Sequence, residues 1–243
     1  MSEPMKKSVE EIITDLFAGA PSVESLEVTL PSLAKGYQKT KKVIKVRSMT
    51  FEDEKFIAQY RGDELLEELL NMCVEDIDPE ELYLEDKLFL YYKIRESSFG
   101  TSAKLSAHCD ICNIPNDLEV DLSQLDITYA SDDFEDPQKI MLPNLKKEVL
   151  VSRVRAYTSE YTKNQDTILD NLWRFVVKVD SYDDPVVISK IIKKLSSADI
   201  RTIIRAMNSK DFGIDTKVKY LCSACGRENV AVVGLTIDFF TMS

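Results

Sequence analysis

Hydrophobic residues near the N-terminus follow the spacing of an amphipathic helix. They recur every three or four positions, so that in a helix they would form a single stripe. This stripe consists of Val9, Ile12, Ile13, Leu16 and Phe17. Gly19 and Pro21 come next, and both residue types end helices. We therefore predict a helix over residues 6–18 that packs either on the body of the same chain or on a partner.

The rest of the chain alternates between strand-like and helix-like hydrophobic spacing. The expected strands early in the chain cover 26–30 and 43–47, and the expected helices cover about 50–74, 84–97, 158–178, 185–195 and 197–208. Thr50 is expected to begin one helix, because its hydroxyl can accept from a backbone amide while Asp53 reaches back in a weak capping box. This mixture predicts an α+β fold that is rich in helix.

Four of the five cysteines form two pairs with the spacing CxxC, within the segments AHCDICN and LCSACGREN. These cysteines are Cys109, Cys112, Cys222 and Cys225. Asn113 and Gly226 follow the pairs directly, and both residue types tolerate the left-handed backbone that a metal-binding knuckle requires. Because strand-like runs flank each pair, we predict that each pair lies at the tip of a β-hairpin.

Other short segments also occur twice, in the same order. The paired segments are VTLPSLAKG (28–36) with IMLPNLKKE (140–148), VRSMTFEDEK (46–55) with VRAYTSEYTK (154–163), and LLEELLNMCVED (65–76) with ILDNLWRFVVKV (168–179). Because self-similarity in register indicates a repeated unit, we predict two duplicated halves, 26–129 and 139–243. Residues 1–25 would hold the N-terminal helix and a linker, and residues 130–138 an exposed acidic linker between the halves.

The two cysteine pairs together supply the four thiolates that a structural zinc ion requires. We predict that the halves pair about a pseudo-twofold axis and complete one tetrahedral zinc site. Closing a loop of 109 residues instead of a short one of ~15 residues costs only ~1.8 kcal/mol more. Structural zinc contributes roughly 10–16 kcal/mol in small peptides, so the metal can clamp the halves despite this cost.

Other interpretations of the cysteines remain open at this point. A redox dithiol is typical of a CxxC pair that begins a helix, whereas strands are expected after both pairs here. An iron–sulfur cluster is a second alternative, and His108 is an alternative ligand beside Cys109. Cys73 aligns with Val176 in the other half and is interpreted as a small hydrophobic core residue.

Composition narrows the classes of function. The net charge is −11 among 243 residues, which disfavours nucleic acid as a partner. There is a single histidine and only seven glycines, and no phosphate-binding loop or nucleophile elbow is present, so we expect no catalytic residues. The N-terminal residues do not form an apolar run of signal length, and no stretch approaches the ~20 apolar residues of a membrane span. A soluble intracellular protein without a membrane partner is the expectation.

Two segments, with a helical region between them, resemble the baseplate hub and hub-assembly proteins of T-even-type bacteriophages. They are LPS…GY…VIKVRSMTFEDEK and CSACGRENVAVVGLTIDFF. The resemblance extends from about residue 26 to the end of the sequence. It implies a late phage protein that is made in the host cytoplasm and helps to build the central hub of a contractile-tail baseplate. Its partners would be other hub and tail proteins, and the virion baseplate would be a second location.

Two other classes of function compete with this one. A zinc-ribbon nucleic-acid or transcription-associated factor would use a basic cluster near the N-terminal strands, formed by Lys35, Lys39, Lys41, Lys42, Lys45 and Arg47. An enzyme would need an acid/base pair of Asp, Glu, Lys or Tyr, and no spacing in the chain singles one out.

Overall fold

Alternating and helical hydrophobic patterns give short antiparallel strands and amphipathic helices in the computed structural model, which describes residues 8–18, 25–59, 63–235 and 237–240. The helices are α1 Val9–Phe17, α2 Phe51–Gln59, α3 Asp63–Cys73, α4 Leu84–Phe99, α5 Gln165–Asn171, α6 Pro185–Ile192 and α7 Ser197–Met207. The strands are β1 Ser25–Thr29, β2 Val43–Arg47, β3 Ser102–His108, β4 Pro115–Asp121, β5 Ile127–Thr128, β6 Gln138–Met141, β7 Glu148–Val151, β8 Val176–Val179, β9 Gly213–Ile214, β10 Lys217–Leu221 and β11 Glu228–Val232. This mixture of helices and small antiparallel sheets agrees with the α+β prediction.

The order of elements is similar in the two halves of the chain. A hairpin (β1–β2, then β6–β7) is followed by helices and by a second hairpin (β3–β4, then β10–β11). Both first hairpins are antiparallel, and both receive a further strand contact from the segment after the next helices. In the first half this contact is the single bridge between Val46 and Val74, and in the second it is the β7–β8 ladder.

A buried aspartate connects the last long helix of each half to the first hairpin of that half. Asp86, in the first turn of α4, accepts a hydrogen bond from the backbone amide of Ser32 at 3.0 Å. Asp199, in the first turn of α7, accepts one from the amide of Asn144 at 2.9 Å. Both amides follow a Leu-Pro sequence, so the same contact fixes the same turn in the two halves.

One predicted helix is wrong over part of its length. Helix was expected for 158–178, but residues 176–179 form β8, which pairs with β7. The segment before it divides into a 3₁₀ stretch Ala156–Thr162, α5 and a second 3₁₀ stretch Leu172–Phe175. The β-branched sequence Val-Val-Lys-Val favours a strand, and an adjacent hairpin edge provides the hydrogen-bond partners.

The described residues form two large hydrophobic cores and a small third cluster. The second core contains only residues between Leu142 and Met207. The first core is built from the first half together with Val233, Phe239 and Phe240 from the end of the second. The Tyr92 hydroxyl also donates to the Val233 carbonyl. The first half therefore depends on residues of the second to complete its core.

The acidic segment 130–138 is exposed at Ser131, Asp132, Asp133 and Glu135, as expected of a linker, but not throughout. Ala130 is buried, and the carboxylate of Asp136 is only 2% exposed. Asp136 accepts from the Arg155 guanidinium at 2.7 Å and from the Tyr83 hydroxyl at 2.8 Å. The prediction of exposure is wrong at these positions, because a carboxylate among these donors is stabilised away from water.

The apolar stripe of α1 is exposed. Val9 and Leu16 are each 73% exposed, and Ile12 and Ile13 are 44% and 51% exposed. Packing of this helix on the body of the same chain is therefore not supported. The prediction that residues 6–7 belong to the helix and that Gly19 and Pro21 end it lies outside the described residues. None of the described helices is both long enough and apolar enough to span a membrane.

Candidate metal centre

The first cysteine pair lies in the tight turn between β3 and β4. The backbone amide of Cys109 donates to the Ile114 carbonyl at 3.0 Å, and the amide of Asn113 donates to the Cys109 carbonyl at 2.9 Å. Asn113 adopts a left-handed backbone with φ 58°, which asparagine tolerates better than most residues. The turn thereby directs both thiols of the pair toward the same side.

The turn between β10 and β11 has the same hydrogen bonds. The amide of Cys222 donates to the Arg227 carbonyl at 2.9 Å, and the amide of Gly226 donates to the Cys222 carbonyl at 2.9 Å. Gly226 has φ 69° and occupies the place that Asn113 occupies in the first turn. The requirement for a left-handed residue after the second cysteine explains why asparagine and glycine stand there.

The two turns face one another and bring the four sulfur atoms together. The Sγ atoms of Cys109 and Cys225 are 3.7 Å apart, and those of Cys112 and Cys222 are 3.6 Å apart. All four lie within 4.8 Å of one another. These separations are too long for a disulfide, whose sulfurs are ~2.0 Å apart, and a tetrahedral zinc ion with Zn–S bonds of ~2.3 Å would place its sulfurs ~3.8 Å apart. The four cysteines can therefore hold one tetrahedral metal ion.

The backbone around the sulfurs favours thiolates at two positions. The amides of Cys225 and Ala224 lower the pKa of Cys222 to about 6. The amides of Cys112 and Ile111 lower the pKa of Cys109. At Cys112 the amide of Ile114 lowers the pKa, but burial and the neighbouring thiols outweigh it and raise the pKa to about 12. Because metals bind the thiolate, a cation among these sulfurs would offset the repulsion between neighbouring thiolates.

One asparagine of each hairpin reaches across to the turn of the other hairpin. The Asn229 Oδ1 atom accepts from the backbone amide of Asp110 at 3.0 Å. The Asn116 Oδ1 atom accepts from the amide of Ser223 at 2.8 Å. Asp110 and Ser223 each follow the first cysteine of their pair, so the two contacts are reciprocal.

The same asparagines also brace their own turns. The Nδ2 atom of Asn116 donates to the Ile114 carbonyl, and that of Asn229 donates to the Arg227 carbonyl, both at 2.9 Å. Both side chains are buried. Sequence reasoning missed these residues, although one signal was available: each asparagine stands four residues after the second cysteine of its hairpin.

The other candidate residues lie outside the cluster. His108 is exposed at the end of β3, where its carbonyl accepts from the Tyr220 hydroxyl at 3.1 Å. Cys73 is 1% exposed in the first hydrophobic core, and burial raises its pKa to about 12. Within the part of the chain that the structure describes, the four cysteines are the one group of three or more His, Cys, Asp or Glu residues arranged to hold a metal ion.

The basic cluster near the N-terminal strands is largely paired with acidic residues. Lys39 lies 2.8 Å from Asp78, and Lys41 lies 2.9 Å from Asp76. Arg47 pairs with Asp53 at 2.6 Å, and Asp53 also accepts from the Thr50 amide, which confirms the expected helix start. The cluster therefore does not present a continuous positive surface.

The family model described as T4 bacteriophage base plate protein matches residues 24–241, which is most of the chain. Neither the curated proteins nor the solved structures contain a match. The family match spans both hairpins and both cores and agrees with the resemblance noted in the sequence. The chain belongs to the T4 bacteriophage base plate protein family.

Proposed function

We propose that this protein is a structural, non-enzymatic component of the central hub of a contractile-tail baseplate. One zinc ion, held by the four cysteines, would clamp two duplicated halves into a single building block. The observation that carries the proposal is the convergence of sulfur atoms from two hairpins, within 4.8 Å of one another, in a member of a baseplate family.

Several repeated contacts support an origin by duplication. The Asp86 and Asp199 contacts occupy the same place in each half, and the Asn116 and Asn229 contacts are reciprocal between the hairpins. Each sulfur pair joins the first cysteine of one hairpin to the second cysteine of the other. All of these contacts are expected of two equivalent units related by a pseudo-twofold axis.

A zinc ion in this cluster would have a structural role. Four protein thiolates fill the tetrahedral coordination of zinc and leave no position for water or substrate. The ion would add cohesion between two hairpins that are also joined by the crossed asparagines and by the hydrogen bond from the Tyr220 hydroxyl to the His108 carbonyl. The role of this chain's residues is to orient the sulfurs and to keep the two turns in register.

Membership of a baseplate family supports a proposal about partners and location. We infer that the protein contacts other hub and tail proteins, forms part of the virion baseplate, and is assembled in the host cytoplasm. The alternative of a zinc-ribbon nucleic-acid factor receives less support, because acidic partners lie at Lys39, Lys41 and Arg47.

Metal content and free thiols of the purified native protein test the clamp. We expect one zinc per chain and one thiol, Cys73, that reacts only after unfolding. The variant Cys112→Ser should lose the metal, whereas the matched control Cys73→Ser should keep it. Five reactive thiols without metal, or iron in place of zinc, would overturn the zinc clamp.

A separate experiment tests the location. Baseplates and assembly intermediates would be isolated from cells infected with phage that carry a tagged copy of this protein, and imaged by electron cryomicroscopy. We expect density for the tag near the central axis. A tag found only at the baseplate periphery, or in neither preparation, would contradict a role in the hub.

A further inference from the structure

Close contacts between the sulfur atoms of the candidate metal centre cross from one hairpin to the other. The Sγ atoms of Cys109 and Cys225, 116 positions apart in the chain, are separated by 3.7 Å. Those of Cys112 and Cys222, 110 positions apart, are separated by 3.6 Å. Because the sulfurs of a disulfide lie ~2.0 Å apart, an approach of less than ~2 Å at either contact would join the hairpins covalently.

Contacts that involve no sulfur atom hold the two turns in this arrangement. Asn116 and Asn229 each accept from a backbone amide of the opposite turn, at 2.8 Å and 3.0 Å. The Tyr220 hydroxyl donates to the His108 carbonyl at 3.1 Å. Since none of these hydrogen bonds depends on a metal ion, they keep the sulfur atoms close to one another when a metal dissociates.

The four thiols differ in their access to solvent. Cys109 and Cys222 are each 2% exposed, whereas Cys112 is half-buried and Cys225 is exposed. A dissolved oxidant therefore reaches Cys225 first. The buried thiol of Cys109 faces it across the cluster and can capture an oxidised Cys225 sulfur before a second oxidation occurs.

We propose that the cluster is also an oxidation site, at which hydrogen peroxide converts the four thiolates into two crossed disulfides, Cys109–Cys225 and Cys112–Cys222. The Cys225 thiolate attacks one peroxide oxygen, becomes a sulfenic acid and releases the other oxygen as hydroxide. The Cys109 thiolate then attacks the Cys225 sulfur and expels a second hydroxide. Each disulfide thus forms by the two-electron oxidation of two thiolates and the reduction of one peroxide to two hydroxides.

This inference rests on the proposed zinc clamp, because the first disulfide removes two of the four ligands and the ion leaves. The disulfides replace it as a link between the halves. Each closes a long loop of the chain, and cross-links of this kind strongly restrict the unfolded state. The halves would remain joined both in a reducing cytoplasm, where the thiolates hold zinc, and in a virion outside the cell, where disulfides persist.

Peptide mapping without reduction, on the full-length zinc-loaded protein before and after hydrogen peroxide, tests the pairing. Trypsin should release the first cysteine pair on the peptide 105–139 and the second on the peptide 220–227, because no other lysine or arginine interrupts either one. Crossed disulfides join these peptides, disulfides within a hairpin leave them separate, and fragmentation assigns the cysteines. We expect the Cys109–Cys225 link first and the Cys112–Cys222 link second, with release of one zinc per chain to a colorimetric chelator.

The Tm measures whether the disulfides replace the metal. A chelator should lower the Tm of the reduced protein by more than ~10 °C and that of the oxidised protein by less than ~3 °C. Two variants sharpen the map. Cys73→Ser, at a buried thiol outside the cluster, should give the wild-type map, and Cys112→Ser should still form the Cys109–Cys225 link and leave Cys222 reduced.

Several results would overturn the proposal. They are disulfides within one hairpin, a sulfinic acid at Cys225 without a disulfide, and a cluster that keeps its zinc and its thiols under peroxide that fully oxidises free cysteine. Zinc is counted on the reduced protein before peroxide is added. A protein without zinc would refute the clamp, and its peptide map would still decide whether the disulfides cross, so the two failures are distinguishable.

Discussion

The two halves of the molecule share their hairpins and differ in what lies between them. The first half packs α3 and α4 into an aromatic core that takes in Phe239 and Phe240, whereas the second packs α6 and α7 on a three-stranded sheet. The features common to both are the metal-binding turns, the crossed asparagines and the buried aspartates. The two halves therefore agree in the turns that carry the cysteines and in the turn of the first hairpin, and they differ in the elements between the two hairpins.

The buried aspartates show how one contact behaves in two surroundings. Burial raises the pKa of Asp86, although Ser32 and Tyr37 donate to it. Burial also opposes the charge of Asp199, but hydrogen bonds from the Asn144 amide and the Ser196 hydroxyl outweigh it and lower the pKa. The same hydrogen bond to a turn thus stabilises the charged carboxylate in one half and only partly offsets its burial in the other.

The largest expected effect comes from breaking the metal site from either side. If the halves contribute equally, Cys112→Ser and Cys225→Ser should each abolish metal binding and lower the Tm by more than ~10 °C. Calorimetry with and without a chelator measures this, and Cys73→Ser serves as the control that retains the metal. A large loss for one variant and none for the other would show that one hairpin holds the metal alone.

A smaller effect is expected from the crossed asparagines. Asn116→Ala and Asn229→Ala each leave a backbone amide of the opposite turn without its acceptor, which should cost ~1–3 kcal/mol of unfolding free energy. Urea unfolding of the metal-loaded protein measures the loss, and Asn208→Ala, at an exposed helix end, should change it by less than ~0.5 kcal/mol. Unequal losses from the two variants would mean that the reciprocal contacts are not energetically equivalent.

The smallest expected effect is a difference between the two buried aspartates in how their contribution to stability depends on pH. Because the folded pKa of Asp199 is lowered, its charge adds stability above the unfolded value near 3.9, and this is lost as the pH falls through the folded pKa. Because the folded pKa of Asp86 is raised, its contribution is complete below the unfolded value and is lost as the pH rises through the folded pKa.

Asp199→Asn should therefore destabilise the protein by ~1 kcal/mol at neutral pH, with a deficit that shrinks in acid. The unfolding free energy of Asp86→Asn should increase relative to that of the wild type as the pH rises. Urea unfolding between about pH 3 and 8, a range that extends to both sides of the unfolded value near 3.9, compares the two variants. Parallel pH profiles would show that the two carboxylates lie in equivalent electrostatic surroundings.

The sequence was most informative where the structure is determined locally. The CxxC spacing with Asn113 or Gly226 behind it predicted each turn, because a left-handed residue is required within a few positions of the thiols. The family resemblance is confirmed by the match over residues 24–241. Zinc, the duplication and the place in the hub stay predictions.

Long-range contacts could not be predicted from the sequence in this way. The reciprocal asparagine contacts join residues 107 and 119 positions apart, which no local pattern encodes. The segment 176–179 is predicted as helix, because so short a hydrophobic run does not distinguish a helix from a strand. In the structure it forms a strand, because the neighbouring edge of β7 provides its hydrogen-bond partners. Burial of Asp136 likewise depends on Arg155 and Tyr83 from two other segments.

The hydrogen bond between Tyr92 and Val233 affects the order in which the two cores form during synthesis. These residues are separated by 141 positions, and Phe239 then packs on the same tyrosine ring at 5.0 Å between centroids. A ribosome that adds ~5–20 residues per second needs roughly 7–30 s to travel that distance. During this interval the aromatic residues of α4 lack their final cover, so the half that is synthesised first is the one whose core closes last.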